Sequence, residues 1–317
     1  MNEHRVKRQI RPARLRAGAR IGIVNPSSWM PAEQILRAVS VFRDLGYELV
    51  LGRTTQLKDY KTAGSPRERA KDVMAMFCDP TIDAILCGRG GYGGNRVLPL
   101  LDYELIRNNP KIFIGYSDIT GFLTSFAQKS GLVCFHGPML TSYGKQTFQY
   151  NLDTFQDVLS GCDGVRVKSP PACRARCLNP GVARGPMWGG NLTLVIERLG
   201  TPDQIDTRGA VLFLEEIDEE LYAFDRMMLH LKNSGCLNEI SALVMGELML
   251  SDDSENPFGK NVDEIVLDIC AGLDIPIITN FPCGHGDYQA TLPVSHEVEV
   301  HAEGQNPYIL IPGSAVI

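Results

Sequence analysis

Short apolar segments alternate with helical patterns through the first half of this chain, and that alternation limits the possible folds more than any other feature. Residues 20–24, 47–51 and 84–87 have the apolar character of short strands, and the segments between them carry apolar residues at helical spacing. Strands that are apolar without alternation are typical of a parallel sheet covered by helices on both faces. The pattern predicts an α/β fold whose amino-terminal domain holds a mostly parallel sheet flanked by helices. The turn at residues 25–28 is expected to cap the first helix.

A second, smaller α/β domain is expected in the carboxyl-terminal half. Residues 169–181 are rich in turn-forming residues and interrupt the alternation. The alternation resumes beyond them, and residues 219–233 carry the apolar stripe of an amphipathic helix. The chain therefore divides into three predicted parts: residues 1–150, a linker at residues 151–184, and residues 185–317.

Charge and hydropathy exclude two classes of partner. The formal net charge is −6, whereas nucleic-acid binding depends on clustered lysine and arginine. The basic cluster at residues 5–16 is interpreted as a solvated lead-in. No segment approaches the roughly 20 apolar residues that span a bilayer, and no apolar stretch of a signal peptide follows the basic start. We therefore expect a cytoplasmic protein that binds neither nucleic acid nor a membrane.

The cysteines do not form a paired framework. There are nine of them, an odd number without regular spacing, which favours reduced thiols over disulfides. Cys173 and Cys177 have the spacing of half a zinc site, but no second pair of cysteines or histidines stands at a finger-like distance. The sequence thus predicts neither a bound metal nor a cofactor.

Ser117 stands where an apolar strand meets a helix. Residues 111–120 run from the strand through Gly115 into the helix. A serine at such a turn exposes its hydroxyl, and the N–H groups at the helix start can stabilise an oxyanion. Two observations oppose a nucleophile: the hydroxyl could simply cap the helix, and Ile119 replaces the second glycine of the G-x-S-x-G pattern. The segment alone leaves both interpretations open.

A serine nucleophile requires a base, normally a histidine oriented by a carboxylate. His285 is favoured, because the glycines on either side of it let the backbone carry an imidazole into a cleft. His136, at the end of a predicted strand, stays possible. The remaining histidines are interpreted as structural or solvated: His4, His230, His296 and His301.

Glu215 is the candidate carboxylate. It follows the buried strand predicted at residues 211–214, and catalytic groups of open α/β sheets gather at the carboxyl ends of their strands. The alternative is an acidic helix start. That alternative fits the next acidic residues better: Asp218, Glu219 and Glu220.

A glycine-rich loop at residues 88–94 follows the strand at residues 84–87. Its spacing fits G-x-G-x-x-G, which leaves a nucleotide-binding module as an alternative function. The loop lacks the Gly-Lys-Ser/Thr of a phosphate-cradling P-loop. Five glycines in seven residues can instead bring backbone N–H groups close to a substrate carbonyl.

Taken together, these segments resemble the LD-carboxypeptidase family of serine peptidases, which also includes the microcin C-type immunity peptidases. Each segment is weak evidence by itself, but the ordered set spans nearly the whole chain and is specific. The matching segments are residues 12–15, 24–28, 87–93, 98–102, 114–120, 136–138, 189–192, 212–216, 225–226, 284–285 and 292–293.

The resemblance implies a role for each candidate residue. Ser117 matches the nucleophile, Glu215 the orienting carboxylate and His285 the general base, in a chain order known to build such a triad. The backbone N–H groups of Gly91 and Asp118 match the oxyanion hole. Three residues depart from the family pattern outside the triad: Asn25, Glu216 and Ser295.

Members of the resembling family release the terminal D-alanine of muropeptide tetrapeptides in cell-wall recycling, and the immunity branch cleaves aminoacyl-nucleotide amides. Trp188 could stack on a nucleobase as in that branch, although packing is the commoner role for such a tryptophan. A length near 300 residues favours the carboxypeptidase, with a small peptide or muropeptide as substrate. A homodimer is expected from the resemblance. A non-catalytic sheet protein, with Ser117 and Glu215 as caps, is a third hypothesis.

Overall fold

The structure, a computed structural model, describes residues 7–253 and 255–317, which form two compact units with one sheet each. The first unit runs to Cys162 and also includes Ala290–Ser295 and Ser314–Ile317. The second unit comprises Asp163–Gln289 and His296–Gly313. His4, and Arg5 of the basic cluster, lie outside the described residues.

The secondary structure follows the chain as a series of short strands and helices. The strands are β1 (Arg20–Val24), β2 (Glu48–Leu51), β3 (Ala84–Cys87), β4 (Ile112–Gly115), β5 (Cys134–His136), β6 (Val165–Lys168), β7 (Arg176–Asn179), β8 (Gly181–Asn191), β9 (Val211–Glu220), β10 (Ala242–Ser251), β11 (Ile277–Phe281), β12 (Leu292–Val294), β13 (Glu297–Ala302) and β14 (Tyr308–Ile311). The α-helices are α1 (Ala32–Asp44), α2 (Pro66–Cys78), α3 (Tyr103–Asn108), α4 (Thr120–Ser130), α5 (Leu140–Lys145), α6 (Gln149–Leu159), α7 (Leu192–Ile196), α8 (Leu221–Asn233) and α9 (Val262–Ile269). Short 3₁₀ turns cover Arg53–Gln56, Gly94–Arg96, Leu98–Leu100 and Ser117–Ile119.

The first unit is built on a parallel sheet with one antiparallel edge. Its strand order is β12-β5-β4-β3-β1-β2, and β1 to β5 run parallel to their neighbours. Parallel strands end at the same edge of a sheet. The glycine-rich loop after β3 and the serine turn after β4 therefore leave the sheet side by side.

Aromatic side chains hold helices α2 and α4 against β4. The rings of Phe113 on β4 and Phe126 on α4 lie 4.8 Å apart in an edge-to-face arrangement. Phe77 on α2 contacts both rings, with centroids 6.1 and 5.6 Å away. All three side chains have no solvent exposure, and burying such a ring contributes about 1.5–3 kcal/mol. This packing holds α4 against β4, and Ser117 lies in the turn that joins these two elements.

The second unit has a mixed sheet in the order β6-β14-β13-β8-β9-β10-β11-β7. The central strands β8 to β11 are parallel, and the outer strands on both sides pair in antiparallel fashion. The predicted α/β class is confirmed: a mostly parallel amino-terminal sheet flanked by helices, followed by a second α/β unit. Within the described part of the chain, no helix is long and apolar enough to cross a membrane.

Some local features differ from the sequence-based expectation. Residues 151–184, predicted as a linker, hold most of α6, strands β6 and β7, and the start of β8. Their proline and glycine residues separate short strands that pair with β14 and β11, more than 90 residues away; pairing over that distance leaves no local signal. Strand β12 pairs with β5 of the first unit. The predicted domain limits themselves stay predictions.

Candidate active site

Ser117 lies on a strained turn at the carboxyl end of β4. Its φ is +63°, in the left-handed region that non-glycine residues seldom occupy and that is found at nucleophile turns. Gly115 makes the turn possible, because a Cβ there would lie 2.9 Å from the Ile119 side chain. The N-cap position of α4 is held by Ile119, so Ser117 is not the residue that caps this helix.

The glycine-rich loop contacts Ser117 directly. A Cβ on Gly90 would lie 2.9 Å from Cβ and 3.2 Å from Oγ of Ser117. Gly91 has a φ of +104° and lies against Ser28, whose Oγ would be 2.3 Å from a Cβ at that position. These contacts explain why the loop needs glycine, since any side chain at residue 90 would push against the serine.

Asp118 ties the two loops together. Its Oδ2 accepts a hydrogen bond of 2.7 Å from the N–H of Gly94, and the side chain is buried. Asp118 is also the second residue of the 3₁₀ turn, where the backbone N–H has no partner within the turn. The first unit thus brings together Ser117, Asp118 and the loop that carries Gly91.

Ser28 was missed in the sequence analysis. The segment at residues 25–28 was expected to cap the first helix, which is wrong: α1 begins at Ala32 with Pro31 at its N-cap position. Ser28 instead donates its N–H to the Gly90 carbonyl at 3.1 Å and accepts from the Tyr92 N–H at 3.2 Å. The only local sign of this role was a pair of serines, Ser27 and Ser28, in a turn at the end of a strand. The partners of Ser28, Gly90 and Tyr92, are distant in the chain, so the sequence pattern could not reveal the contact.

In the second unit, His285 and Glu215 form a buried hydrogen-bonded pair. Nδ1 of His285 lies 2.6 Å from Oε2 of Glu215. The glutamate side chain is fully buried and the histidine side chain is 12% exposed. Glu215 lies within β9, which pairs with β10 and continues to Glu220. The predicted strand end at residue 214 is therefore wrong. Glu215 nevertheless contacts His285, the histidine that the sequence favoured as the base.

Opposing effects act on the pKa of His285. Burial, the largest single effect, lowers this pKa because it disfavours the charged ring. The negative charge of Glu215 and its hydrogen bond raise the pKa, with help from Glu216 and Asp218. Together the carboxylates outweigh burial, and the pKa lies above its ordinary value of 6.5.

Glu247 of β10 lies against the loop that holds His285, and no local sequence pattern indicates this contact. A Cβ on Gly284 would lie 2.2 Å from the Glu247 carbonyl oxygen, and one on Gly286 would lie 1.7 Å from Oε2 of Glu247. The backbone contact requires glycine at residue 284, whereas a side chain at residue 286 would have to displace the Glu247 carboxylate. Burial, with the charge of Asp287, raises the pKa of Glu247.

Glu216 and several histidines other than His285 make contacts that stabilise the fold. Glu216 accepts hydrogen bonds from Asn191 Nδ2 and the Thr193 N–H, both at 2.8 Å, and so holds the start of α7. His136 is 1% exposed on β5. His296 Nε2 lies 3.1 Å from the Gly313 carbonyl, and His301 stacks on Tyr308 with centroids 4.4 Å apart.

All nine cysteines are free thiols. Cys173 lies 3.9 Å from the Glu247 carboxylate, and Cys177 lies 3.1 Å from the Ala302 carbonyl. Among residues 7–253 and 255–317, no group of three or more histidine, cysteine or acidic side chains is arranged to hold a metal ion.

The two units thus carry parts that serine hydrolases use: a serine on a left-handed strand-to-helix turn with a glycine-rich loop against it, and an imidazole held by a buried carboxylate. Comparison with models of protein families also identifies a hydrolase of the serine peptidase type. The LD-carboxypeptidase N-terminal domain matches residues 21–137, and the LD-carboxypeptidase C-terminal domain matches residues 184–300. The chain therefore belongs to the LD-carboxypeptidase family, and it is a serine-type peptidase.

Individual relatives confirm the resemblance. The chain is 34% identical to the "Probable murein peptide carboxypeptidase" of Bacillus subtilis, with 90% of this chain and 89% of that protein covered. It is similar in structure to the muramoyltetrapeptide carboxypeptidase of Oxalobacter formigenes, with a TM-score of 0.82, 30% identity, and coverage of 92% and 98%. A variant of the microcin C7 self immunity protein MccF in complex with adenosine monophosphate gives a TM-score of 0.90, 26% identity, and coverage of 97% and 100%.

Proposed function

We propose that the protein is a serine carboxypeptidase that cleaves an L,D-amide bond and releases the terminal D-alanine of muropeptide tetrapeptides. The observation that carries the proposal is the 2.6 Å contact between His285 Nδ1 and Glu215 Oε2. An imidazole oriented in this way is the base that a serine nucleophile requires. The left-handed backbone of Ser117 supports its assignment as that nucleophile.

In the proposed reaction, Nε2 of His285 accepts the hydroxyl proton of Ser117, and the serine oxygen attacks the carbonyl carbon of the scissile amide. The backbone N–H groups of Gly91 and Asp118 donate to the oxyanion that forms. The imidazolium gives its proton to the leaving amine, so that D-alanine departs and an acyl-enzyme remains. A water molecule, deprotonated by His285, then releases the shortened peptide and restores the serine.

The substrate class rests on the named relatives. A murein peptide carboxypeptidase and a muramoyltetrapeptide carboxypeptidase are both similar to this chain over about nine-tenths of its length. Both names denote carboxypeptidases of murein-type peptides. A cytoplasmic role in cell-wall recycling, and assembly as a homodimer, belong to the same proposal. Size-exclusion chromatography with light scattering tests the dimer.

An immunity peptidase that cleaves aminoacyl-nucleotide amides is the second candidate, and the likeness to MccF bound to adenosine monophosphate favours it. Trp188, the residue considered for stacking on a base, is only 4% exposed on β8. That burial favours packing over stacking. The nucleotide-binding module and the non-catalytic sheet protein are set aside because the chain is a serine-type peptidase.

One experiment separates the two branches. The protein is offered an L,D-tetrapeptide and an aminoacyl-sulfamoyl adenosine side by side, and the products are identified by mass spectrometry. We expect free D-alanine and a tripeptide from the first compound, with little change in the second. Cleavage of the adenosine derivative alone would overturn the carboxypeptidase proposal in favour of the immunity branch.

A further inference from the structure

Arg69, near the start of α2, is 1% exposed although it carries a permanent positive charge. Ser65 and Glu68 form a capping box at the start of this helix, and the box fixes where the Arg69 side chain begins. Burial lowers the pKa of Arg69, while the charges of Asp118 and Asp59 oppose that effect. A buried cation persists only where its N–H groups find acceptors.

The acceptors are backbone carbonyl groups from three separate segments. Nε of Arg69 donates to the Gly64 oxygen at 3.1 Å. Nη1 donates to the Pro26 oxygen at 2.8 Å and to the Gly93 oxygen at 2.9 Å. One guanidinium therefore joins the turn after β1 to the glycine-rich loop after β3.

Both of those segments hold the proposed oxyanion donor. Pro26 lies two residues before Ser28, whose N–H donates to the Gly90 carbonyl at 3.1 Å. Gly93 lies two residues after Gly91, on the same loop, with a φ of +101°. The peptide group between residues 90 and 91 is thus held from both sides by segments that Arg69 connects.

We propose that Arg69 is a positioning residue that sets the direction of the Gly91 N–H toward the oxyanion formed at Ser117. This inference rests on the proposed function. The planar guanidinium presents its N–H groups in fixed directions, which a lysine ammonium cannot reproduce for three carbonyls at once. Because a hydrogen bond to an oxyanion depends steeply on distance and angle, a small rotation of this peptide group slows the reaction while peptide binding persists.

The test compares Arg69→Lys with Lys111→Gln. Lys111 is a matched control: it is a buried cation in the same unit, and its Nζ donates to the Met76 carbonyl at 3.0 Å and to the Asp79 carbonyl. It lies just before β4, at the edge of the sheet opposite Ser117. Each substitution disturbs hydrogen bonds from a buried cation to backbone oxygens. Only the Arg69 substitution affects a hydrogen bond to the glycine-rich loop, the one to the Gly93 carbonyl.

Two measurements are made on each variant, at a temperature well below its Tm. The first is kcat and KM with the peptide substrate. The second is the rate at which a fluorophosphonate labels Ser117, a reaction in which the serine oxygen bonds to phosphorus, fluoride leaves, and the hydroxyl proton passes to the base. For Arg69→Lys we expect kcat and the labelling rate to fall together by roughly ten- to a hundredfold, with KM within about threefold of the parent value. For Lys111→Gln we expect a lower Tm with both rates retained.

A folded Arg69→Lys variant that labels at the parent rate would overturn the inference, as would an equal loss of rate in Lys111→Gln. If Arg69→Lys does not fold, Arg69→Gln carries the same test, because its planar amide keeps two N–H donors. Failure of the proposed function is distinguishable. A parent protein that labels at Ser117 but releases no D-alanine contradicts the substrate and leaves the Arg69 comparison intact, whereas absence of labelling contradicts the nucleophile itself.

Discussion

Nδ1 of His285 lies 2.6 Å from Oε2 of Glu215, a carboxylate with no solvent exposure. Among the described residues, the second oxygen of Glu215, Oε1, has no hydrogen-bond partner. The carboxylate therefore interacts mainly with the imidazole, which fixes the ring orientation and directs Nε2 away from the glutamate.

Ser117 is the proposed nucleophile. We expect Ser117→Ala to keep the fold and to lower kcat by roughly four orders of magnitude or more, because triad members act as a unit. Release of D-alanine from a tetrapeptide measures the rate. Ser40→Ala, at an exposed position on α1, is the matched control and should keep full activity. A Ser117→Ala variant with a tenth of the parent rate would show that another group attacks the amide.

The pH dependence of kcat/KM should reflect the raised pKa of His285. The imidazole acts as a base only when neutral, so activity falls as the pH drops through this pKa. Because Glu215, Glu216 and Asp218 together outweigh burial, the midpoint of the acid limb should lie above 6.5. An NMR titration of the His285 ring measures the same pKa independently.

Removing the charge of Glu215 should move that midpoint downward. In Glu215→Gln the burial that lowers the pKa of His285 remains, while its nearest negative charge is lost. We also expect kcat to fall by roughly 10⁴-fold, as for other triads whose carboxylate becomes an amide. Glu299→Gln is the control, because Glu299 lies 3.4 Å from a different imidazole, His301. An unchanged acid limb in Glu215→Gln would mean that His285 is not the titrating base.

The contact between the glycine-rich loop and the serine gives a further prediction. A Cβ on Gly90 would lie 2.9 Å from the Cβ of Ser117, so Gly90→Ala must displace the loop or the serine. We expect kcat to fall by roughly ten- to a hundredfold, measured by D-alanine release. Gly313→Ala, where a Cβ would have no neighbour within 4 Å, is the control and should be neutral. Full activity in Gly90→Ala would contradict this close contact.

Packing of the first unit can be tested apart from the chemistry. Phe126→Ala removes a buried ring that contacts Phe77 and Phe113, and we expect the free energy of unfolding to fall by about 3–5 kcal/mol. Leu36→Ala, at a site 67% exposed on α1, should change it by less than about 0.5 kcal/mol. Urea denaturation followed by circular dichroism measures both. Equal effects of the two substitutions would contradict the described core.

Much of the fold and three candidate side chains were predictable because their signals are local. The apolar strands β3 and β4 and the turn at Ser117 follow from neighbouring residues. The prediction of Glu215 used an incorrect strand end, yet it found the residue that contacts His285. Their assignment as a catalytic triad stays a prediction until the variants are measured.

The features that escaped prediction depend on contacts between distant segments. In the sequence, Arg69 is indistinguishable from an ordinary exposed arginine of a helix. Only the folded chain shows that its guanidinium donates hydrogen bonds to the Pro26 and Gly93 carbonyls. Glu247 likewise gains its significance from two glycines almost 40 residues later. Helical and strand periodicity report which face of an element is buried, but they do not report which loops meet there.

The return of β12 to the first sheet limits how this protein can be divided or recombined. A fragment that stops at Cys162 would lack β12 and leave the edge of β5 open to pairing with other chains. Chimaeras between relatives would have to exchange residues 290–295 together with the amino-terminal half. A chain that enters the second unit must therefore return residues 290–295 to the first sheet, and a change in the length of the His285 loop must keep β12 in register with β5.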